Sequence, residues 1–445
     1  MTAQSSLAFK PAAARDATSD DWHDDTNDRD ATSQGVGTPL NGAHQAGKGA
    51  APKCQFSSRL ETLPAELRLR LLLSMSDLQT LRSLVHASPT LHAQYRHGRD
   101  RILRAFISRE LDGFLIDAYA TQMSRPQELG SPRTNEKIAE FTDTYGNWLS
   151  APESSPDLNS IEPERLRSMV AFYLSIAQSL AHQYCEWALG KFIPVILDFV
   201  AQTNPRPTAE ALGINDLTPQ RSELIRVLRA IYRYETYYNL FGCNEGKREG
   251  APFTGDWTNH LLLYRLEPWE AEAVACIHTF ISDKYQEILD RLKDNLSPPN
   301  VRFTLENRVY RYNEPFRLLA EVNDYLEGLL SRGLSTAVQL LATHDDEELV
   351  VKVRHCLRPS RHQDSTLQGA LSKDAQSSRR YDLDVPPDPR DEMARNRSCM
   401  EFTGDAVPPT GPPLGWLQLW GGGYSNIYGE YVPKCVQQWG YVMWN

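Results

Sequence analysis

Between Glu66 and Arg358 apolar side chains return every three or four positions, with polar breaks between the segments and little strand-like alternation. A chain with that period buries its apolar faces by packing helix on helix. The spacing predicts helices over 99–111, 135–149, 163–191, 219–241, 268–296 and 315–343, the last broken near Gly333. Pro163, Pro219, Pro268 and Pro315 stand at the heads of four of them, where the first turn has no acceptor for the missing N–H. Glu162, Glu164, Glu267 and Glu314 add negative charge at the positive helix end. The connections 123–134, 150–160, 203–215 and 242–256 are turn-rich and longer than most helix–helix loops. No repeat of fixed period joins the segments.

The two ends of the chain have a different character. Residues 1–57 hold almost no large apolar side chains and carry seven aspartates between Asp16 and Asp30, which reads as a disordered acidic tail. Residues 359–400 are again polar and include the run VPPDPR, which reads as a flexible linker. The last stretch, 401–445, gathers Trp416, Trp420, Tyr424, Tyr428, Tyr431, Trp439, Tyr441 and Trp444 among glycines and turns. Aromatic surface in that density is unfavourable in water, so the segment is expected to dock on the helical region of 96–358. With 445 residues there is room for one large or two ordinary globular units besides the tails.

A formal net charge of −10 argues against wholesale binding to nucleic acid or to an anionic membrane. The C-terminal aromatics have only Lys434 among them from Gly411 onward, too little positive charge for a stacking platform on single strands. Seven cysteines lie singly with no CxxC pair, which argues against a disulfide framework or zinc ribbon and for a reducing compartment. The first residues lack an apolar stretch of signal-peptide length, and the most apolar later stretch is broken by Pro194 and Asp198. The expectation is a soluble protein of the cytoplasm or nucleus.

The segment 60–95, LETLPAELRLRLLLSMSDLQTLRSLVHASPTLHAQY, is the most informative. Leu67, Leu71 and Met75 recur at spacings of four on one side of a helix opened by Pro64. Leu69, Leu72 and Leu73 widen that face beyond what one neighbour needs, so something else is expected to cover the excess. Asp77 is placed to cap a second helix with Leu78, Leu81, Leu84 and Val85, and Ser88-Pro89 starts a short third with Leu91 and Tyr95.

This arrangement resembles the F-box, a compact three-helix unit. Leu63, Pro64, Glu66 and Leu67 match its leucine-proline-x-glutamate-leucine opening, Leu71 and Leu72 its isoleucine-leucine pair, and Met75 a further leucine. The resemblance covers residues 60–95 only; the loop after Met75 is shorter than the family pattern, and Leu91 stands nearest the place of its usual tryptophan. The wider layout, with EPWEAEAVACIH and the aromatic ending, is similar to uncharacterised proteins of filamentous fungi. By resemblance, Leu63, Pro64, Leu67, Leu71, Leu72 and Met75 would face a Skp adaptor or the module's own core, with a cullin beyond the adaptor and a target protein held by the helical region. The arginines from Arg59 to Arg109 supply local positive charge, which reads first as the solvated faces of amphipathic helices and, as the alternative, as a field that would steer an acidic adaptor. The role implied is that of a non-catalytic substrate receptor of a ubiquitin ligase. The alternative is a helical interaction scaffold with an F-box-like fold and no ligase.

No pattern of residues calls for chemistry. His92 with His97, Cys276 with His278, and His355 with Cys356 have spacings that diverge or crowd on a helix, so no metal site is expected. There is no GxSxG elbow, and Gly421-Gly422-Gly423 lacks the lysine and hydroxyl residue of a phosphate loop. The acidic run from Asp345 to Glu348 sits where a helix would start and suits its dipole. Neither catalytic residues nor a cofactor are expected. The fold class expected is mostly α: an F-box-like module at 58–95, then a larger irregular helical domain with the aromatic segment packed on it.

Overall fold

The computed structural model describes residues 59–130, 132–201, 218–242, 248–249, 253–296, 326–356, 367–376, 389–405 and 409–445. The acidic stretch of 1–57, the 203–215 connection and the start of the 315–343 helix lie outside the described residues. The described residues are mostly helical; their extended pairing is one parallel couple, β1 (Arg133–Thr134) beside β2 (Arg248–Glu249). The chain divides into two compact units, residues 1–102 and 103–445.

In the first unit α1 (Ala65–Leu73) follows Pro64, whose ψ of 149° keeps it outside the helix. α2 (Leu78–Ala87) is capped by Asp77: the Thr80 N–H donates to its Oδ1 at 2.6 Å and the Thr80 hydroxyl to its Oδ2 at 2.8 Å. Burial alone would raise the Asp77 carboxyl, but the hydrogen bonds from Ser76 and Thr80 hold it below the usual range. The cap is therefore strongest above the ordinary aspartate pKa and weakens as pH falls through the lowered value. Asp77→Ala costs about 1 kcal/mol, expected as roughly fivefold faster hydrogen exchange of the α2 amides; unchanged exchange would show that the cap contributes nothing.

α3 (Pro89–Glu110) is continuous through Gly98 and past Ile102, where the sequence suggests a short helix near 89–95 and a separate one from 99. Glycine inside a helix costs only about 1 kcal/mol relative to alanine, and here the missing side chain has a use. A Cβ on Gly98 would stand 3.1 Å from Leu69 Cδ1, so the gap admits α1 closely. The buried apolar residues of this unit are Leu72, Leu78, Leu81, Val85, Leu91, Tyr95 and Ile102.

The second unit continues with α4 (Leu115–Met123), α5 (Pro126–Leu129), α6 (Asn135–Ser150), α7 (Pro163–Phe172), α8 (Gln178–Ala201) and α9 (Arg221–Phe241). After these come α10 (Gly255–Leu261), α11 (Pro268–Leu296), α12 (Leu334–Leu341), α13 (Asp346–Cys356), α14 (Leu367–Leu371), α15 (Pro389–Asn396), α16 (Leu414–Trp420) and α17 (Lys434–Gln438). The predicted 163–191 helix is in fact α7, one π turn at Tyr173–Ala177, and α8, which continues through Pro194. α9 is buried on almost every side and packs against α4, α8 and α11. It opens with a reciprocal cap in which the Gln220 N–H donates to Glu223 Oε2 at 2.8 Å. The break near Gly333 has a local cause. Gly333 takes φ 77°, a Cβ there would lie 2.8 Å from Glu235 Oε2, and that carboxylate accepts the Leu334 N–H at 2.7 Å as α12 begins.

The linker reading of 359–400 is corrected over 367–376. Leu367, Ala370, Leu371, Ala375 and Gln376 are buried, and α14 packs on α10. Asn259 Nδ2 donates to the Ala370 carbonyl at 2.7 Å, and Gln376 Nε2 to that of Leu371 at 2.8 Å. Side chains thus satisfy a backbone too short to satisfy itself. The rest of the reading, apart from 389–405, lies outside the described residues.

The aromatic ending covers α8, α9 and α11. Trp416 meets Trp269 edge-on with centroids 5.3 Å apart, Trp439 stacks on Phe192 at 5.0 Å, and Trp444 lies against Tyr184 at 6.4 Å. Trp416, Tyr428, Tyr441 and Met443 have no exposed surface.

Candidate functional site

The face that α1 presents is sorted by burial. Leu72 is fully buried and belongs to the core of the first unit, and Leu63, Leu71 and Met75 are half-buried. Pro64 is exposed, Leu67 is 45% exposed, and Leu60, which the sequence pattern does not single out, is 40% exposed. Leu67 and Leu71 are one turn apart, so α1 shows solvent an apolar strip continuous in sequence with the Leu60–Pro64 turn.

That turn is held rather than loose. The Ser88 hydroxyl donates to Glu61 Oε1 at 2.6 Å, and the Leu91 N–H donates to the Ser88 hydroxyl at 3.3 Å, so the start of α3 is tied to the turn before α1. Arg68 Nη1 donates to the Glu61 carbonyl at 2.9 Å, and the Leu63 N–H to that of Leu60 at 3.4 Å. Glu61 is thus a positioning residue that the opening motif does not include. Its signal in the sequence is its place, two residues before Leu63 and five before the matched Glu66. Residues 59–102 carry seven arginines against four carboxylates, and Arg70, Arg96 and Arg101 are exposed. The arrangement has an apolar strip with a positive margin, which suits docking of a partner whose surface is apolar with an acidic rim.

The second unit has a denser set of charges, and they are turned inward. Arg233 Nε lies 2.7 Å from Asp117 Oδ1 and its Nη1 3.0 Å from Glu270 Oε1. Arg229 bridges the same carboxylates at 3.7 and 3.2 Å and donates to the carbonyls of Pro409 and Gly113 at 2.8 and 2.7 Å. The Tyr145 hydroxyl donates to Asp117 Oδ1 at 2.5 Å. Burial alone would lower the Arg233 guanidinium, but Asp117 and Glu270 drive it well up, and burial with Asp117 beside it raises the Tyr145 phenol. Burial likewise opposes, and Arg233 and Arg229 outweigh, the ionisation of Glu270, whose carboxyl is held low. Two positive and two negative groups close on one another, which makes this a joint between α4, α9 and α11 and not a reaction centre. Arg226 extends it to the chain end, pairing with Asp405 and donating to the Met443 carbonyl at 3.1 Å. The sequence signal was available: Arg226, Arg229 and Arg233 repeat at three and four along a helix rich in aliphatic and aromatic residues.

His92 and His97 are exposed, Cys276 and His278 are both buried, and Cys356 is half-buried beside an exposed His355. Among the described residues no three His, Cys, Asp or Glu side chains gather as ligands would, and no helix is long and apolar enough to cross a membrane. Comparison of the chain with protein-family models, with curated proteins and with solved structures finds no match.

Proposed function

We propose that the chain is a non-catalytic substrate receptor that docks a Skp adaptor through residues 60–95 and, by way of a cullin, joins a ubiquitin ligase, with the unit at 103–445 holding a target protein. The observation that carries this reading is the apolar strip in which Leu60, Pro64 and Leu67 are exposed and Leu63 and Leu71 half-buried, lying on the LPAEL opening that resembles the F-box. Exposed leucines on a helix fixed at both ends are favourable only when a partner covers them. The arginine margin supports an acidic partner, and in this reading Leu72 shapes the module from inside while Met75 closes its edge. Such a receptor does its work by raising the effective concentration of the target near a ubiquitin-loaded enzyme.

The shorter loop after Met75 and Leu91 in place of a tryptophan favour a second reading, a helical scaffold without a ligase. The test is co-purification of the tagged chain with Skp adaptor and cullin, comparing wild type with a Leu63→Ala, Pro64→Ala, Leu71→Ala variant whose helix content is checked by circular dichroism. Retention of both proteins by wild type and their loss in a folded variant is expected. Failure of wild type to retain the adaptor would leave the scaffold.

A further inference from the structure

Residues 424–438 are fastened at four places to α11 and to Glu267, which immediately precedes it. The Tyr424 hydroxyl donates to Glu267 Oε2 at 3.3 Å, the Gly429 N–H to Glu272 Oε1 at 2.7 Å, and Thr279 Oγ1 to Gln437 Oε1 at 2.9 Å. Farther along, Asp283 accepts from Gln438 Nε2 at 2.7 Å and pairs with Lys434 at 2.8 Å. Glu272 differs from the other acids of this row, because it has no exposed surface and no cation pairs with it among the described residues. Arg226, Arg229 and Arg233 of α9 are engaged with Asp117, Glu270 and Asp405, Arg221 donates to the Glu110 carbonyl, and Lys434 pairs with Asp283.

The titratable neighbours of Glu272 are the Tyr441 phenol from the C-terminal segment and the Cys276 thiol from α11 itself, both buried and both neutral acids. The turn that meets it has no slack. Gly429 takes φ 70°, and a Cβ there would stand 2.9 Å from Leu371 Cβ, so the backbone is wedged between α14 and the carboxyl.

We propose that Glu272 is a proton-operated latch: residues 424–441 close on α11 over its neutral carboxyl and loosen when that carboxyl ionises. A charge formed at this place has the Gly429 N–H and the neutral Tyr441 phenol to stabilise it and, among the described residues, no counter-ion, so relief comes from admitting water by lifting the segment. In agreement, burial pushes the Glu272 carboxyl from near 4.5 up to about 8. A folded-state value raised above the unfolded one stabilises fully below the unfolded value, and that stability drains as pH rises toward the folded one. The active window is therefore from the ordinary glutamate range to about pH 8. Within it each pH unit favours the open form about tenfold, and above about pH 8 both forms are ionised and the ratio levels off. His278, on the same helix, is held by burial at about 4 and stays neutral through this window.

The experiment is hydrogen exchange of the full chain, corrected for the intrinsic pH dependence of exchange, with the melting midpoint measured in parallel, at about pH 6.5 to 8.5. Wild type should lose protection over 424–441 by about tenfold per pH unit up to about pH 8 and level off above it, together with a falling midpoint. Glu272→Gln, which keeps an acceptor for the Gly429 N–H, should show neither change. Equal pH dependence in the two proteins overturns the proposal. Constant protection of 424–441 in wild type overturns it as well, whether or not the variant folds.

Discussion

Removal of residues 411–445 unfolds the 103–445 unit at temperatures where the intact chain is stable. The segment is part of the core by every physical measure: Trp416, Tyr428, Tyr441 and Met443 are fully buried, and Trp444 is 9% exposed. Trp416→Ala alone costs about 3–5 kcal/mol, because it removes a fully buried indole and leaves a cavity beside Trp269. Deletion adds the loss of Met443 and Asn445 as acceptors for Arg226, which would leave a buried guanidinium on α9 with Asp405 alone. A melting curve of the truncated chain that matches the intact one would contradict this.

Arg233→Met lowers the stability of the same unit by about 3–5 kcal/mol. The methionine replaces the volume but leaves Asp117 and Glu270 to share Arg229, one of whose pairings is a long 3.7 Å. The cost comes from uncompensated negative charge in a closed interior and not from a lost attraction in water. It follows that Asp117→Asn with Arg233→Met is more stable than Arg233→Met alone, although it carries one more substitution. Urea midpoints of the three proteins decide it. Additive losses would show that the two side chains act independently.

The sequence carries the helices that have strong ends and hides those that lean on distant residues. Pro268 and the unbroken period to Leu296 define α11 at both limits, and Thr134 accepting the Lys137 N–H starts α6 where the pattern begins. α4 escapes the periodic reading because it is short and buries Asp117, Thr121 and Gln122 along with its alanines. Distant elements satisfy those polar groups: Thr121 donates to the Tyr232 carbonyl of α9 at 2.9 Å, Asp117 accepts from Arg233 of α9 at 2.7 Å, and Gln122 accepts from the Ser168 hydroxyl of α7 at 2.9 Å. α14 is five residues long and polar on its flanks, so no window of composition distinguishes it from a linker. Its carbonyls are satisfied by Asn259, which the fold brings to Ala370, and by Gln376, which reaches back to Leu371 and is itself held by the Tyr428 N–H.

The candidate surface was legible in part for a related reason. The match of Leu63, Pro64, Glu66 and Leu67 to a known opening is local, and so is the period of Leu67 and Leu71. Which leucines face solvent depends on α3 crossing close to α1 at Gly98, and that divides Leu72 from Leu67 in a way spacing alone does not. The division also improves the variants: Leu72→Ala disturbs the module's core, whereas Leu67→Asp changes only its surface.

The central claim is therefore tested most directly by titrating purified Skp adaptor into the purified chain by calorimetry, with wild type and Leu67→Asp side by side. The account predicts saturable binding by wild type that weakens as salt is raised, and none by the variant at an unchanged melting midpoint. Absence of binding by wild type, or equal binding by both proteins, would contradict it.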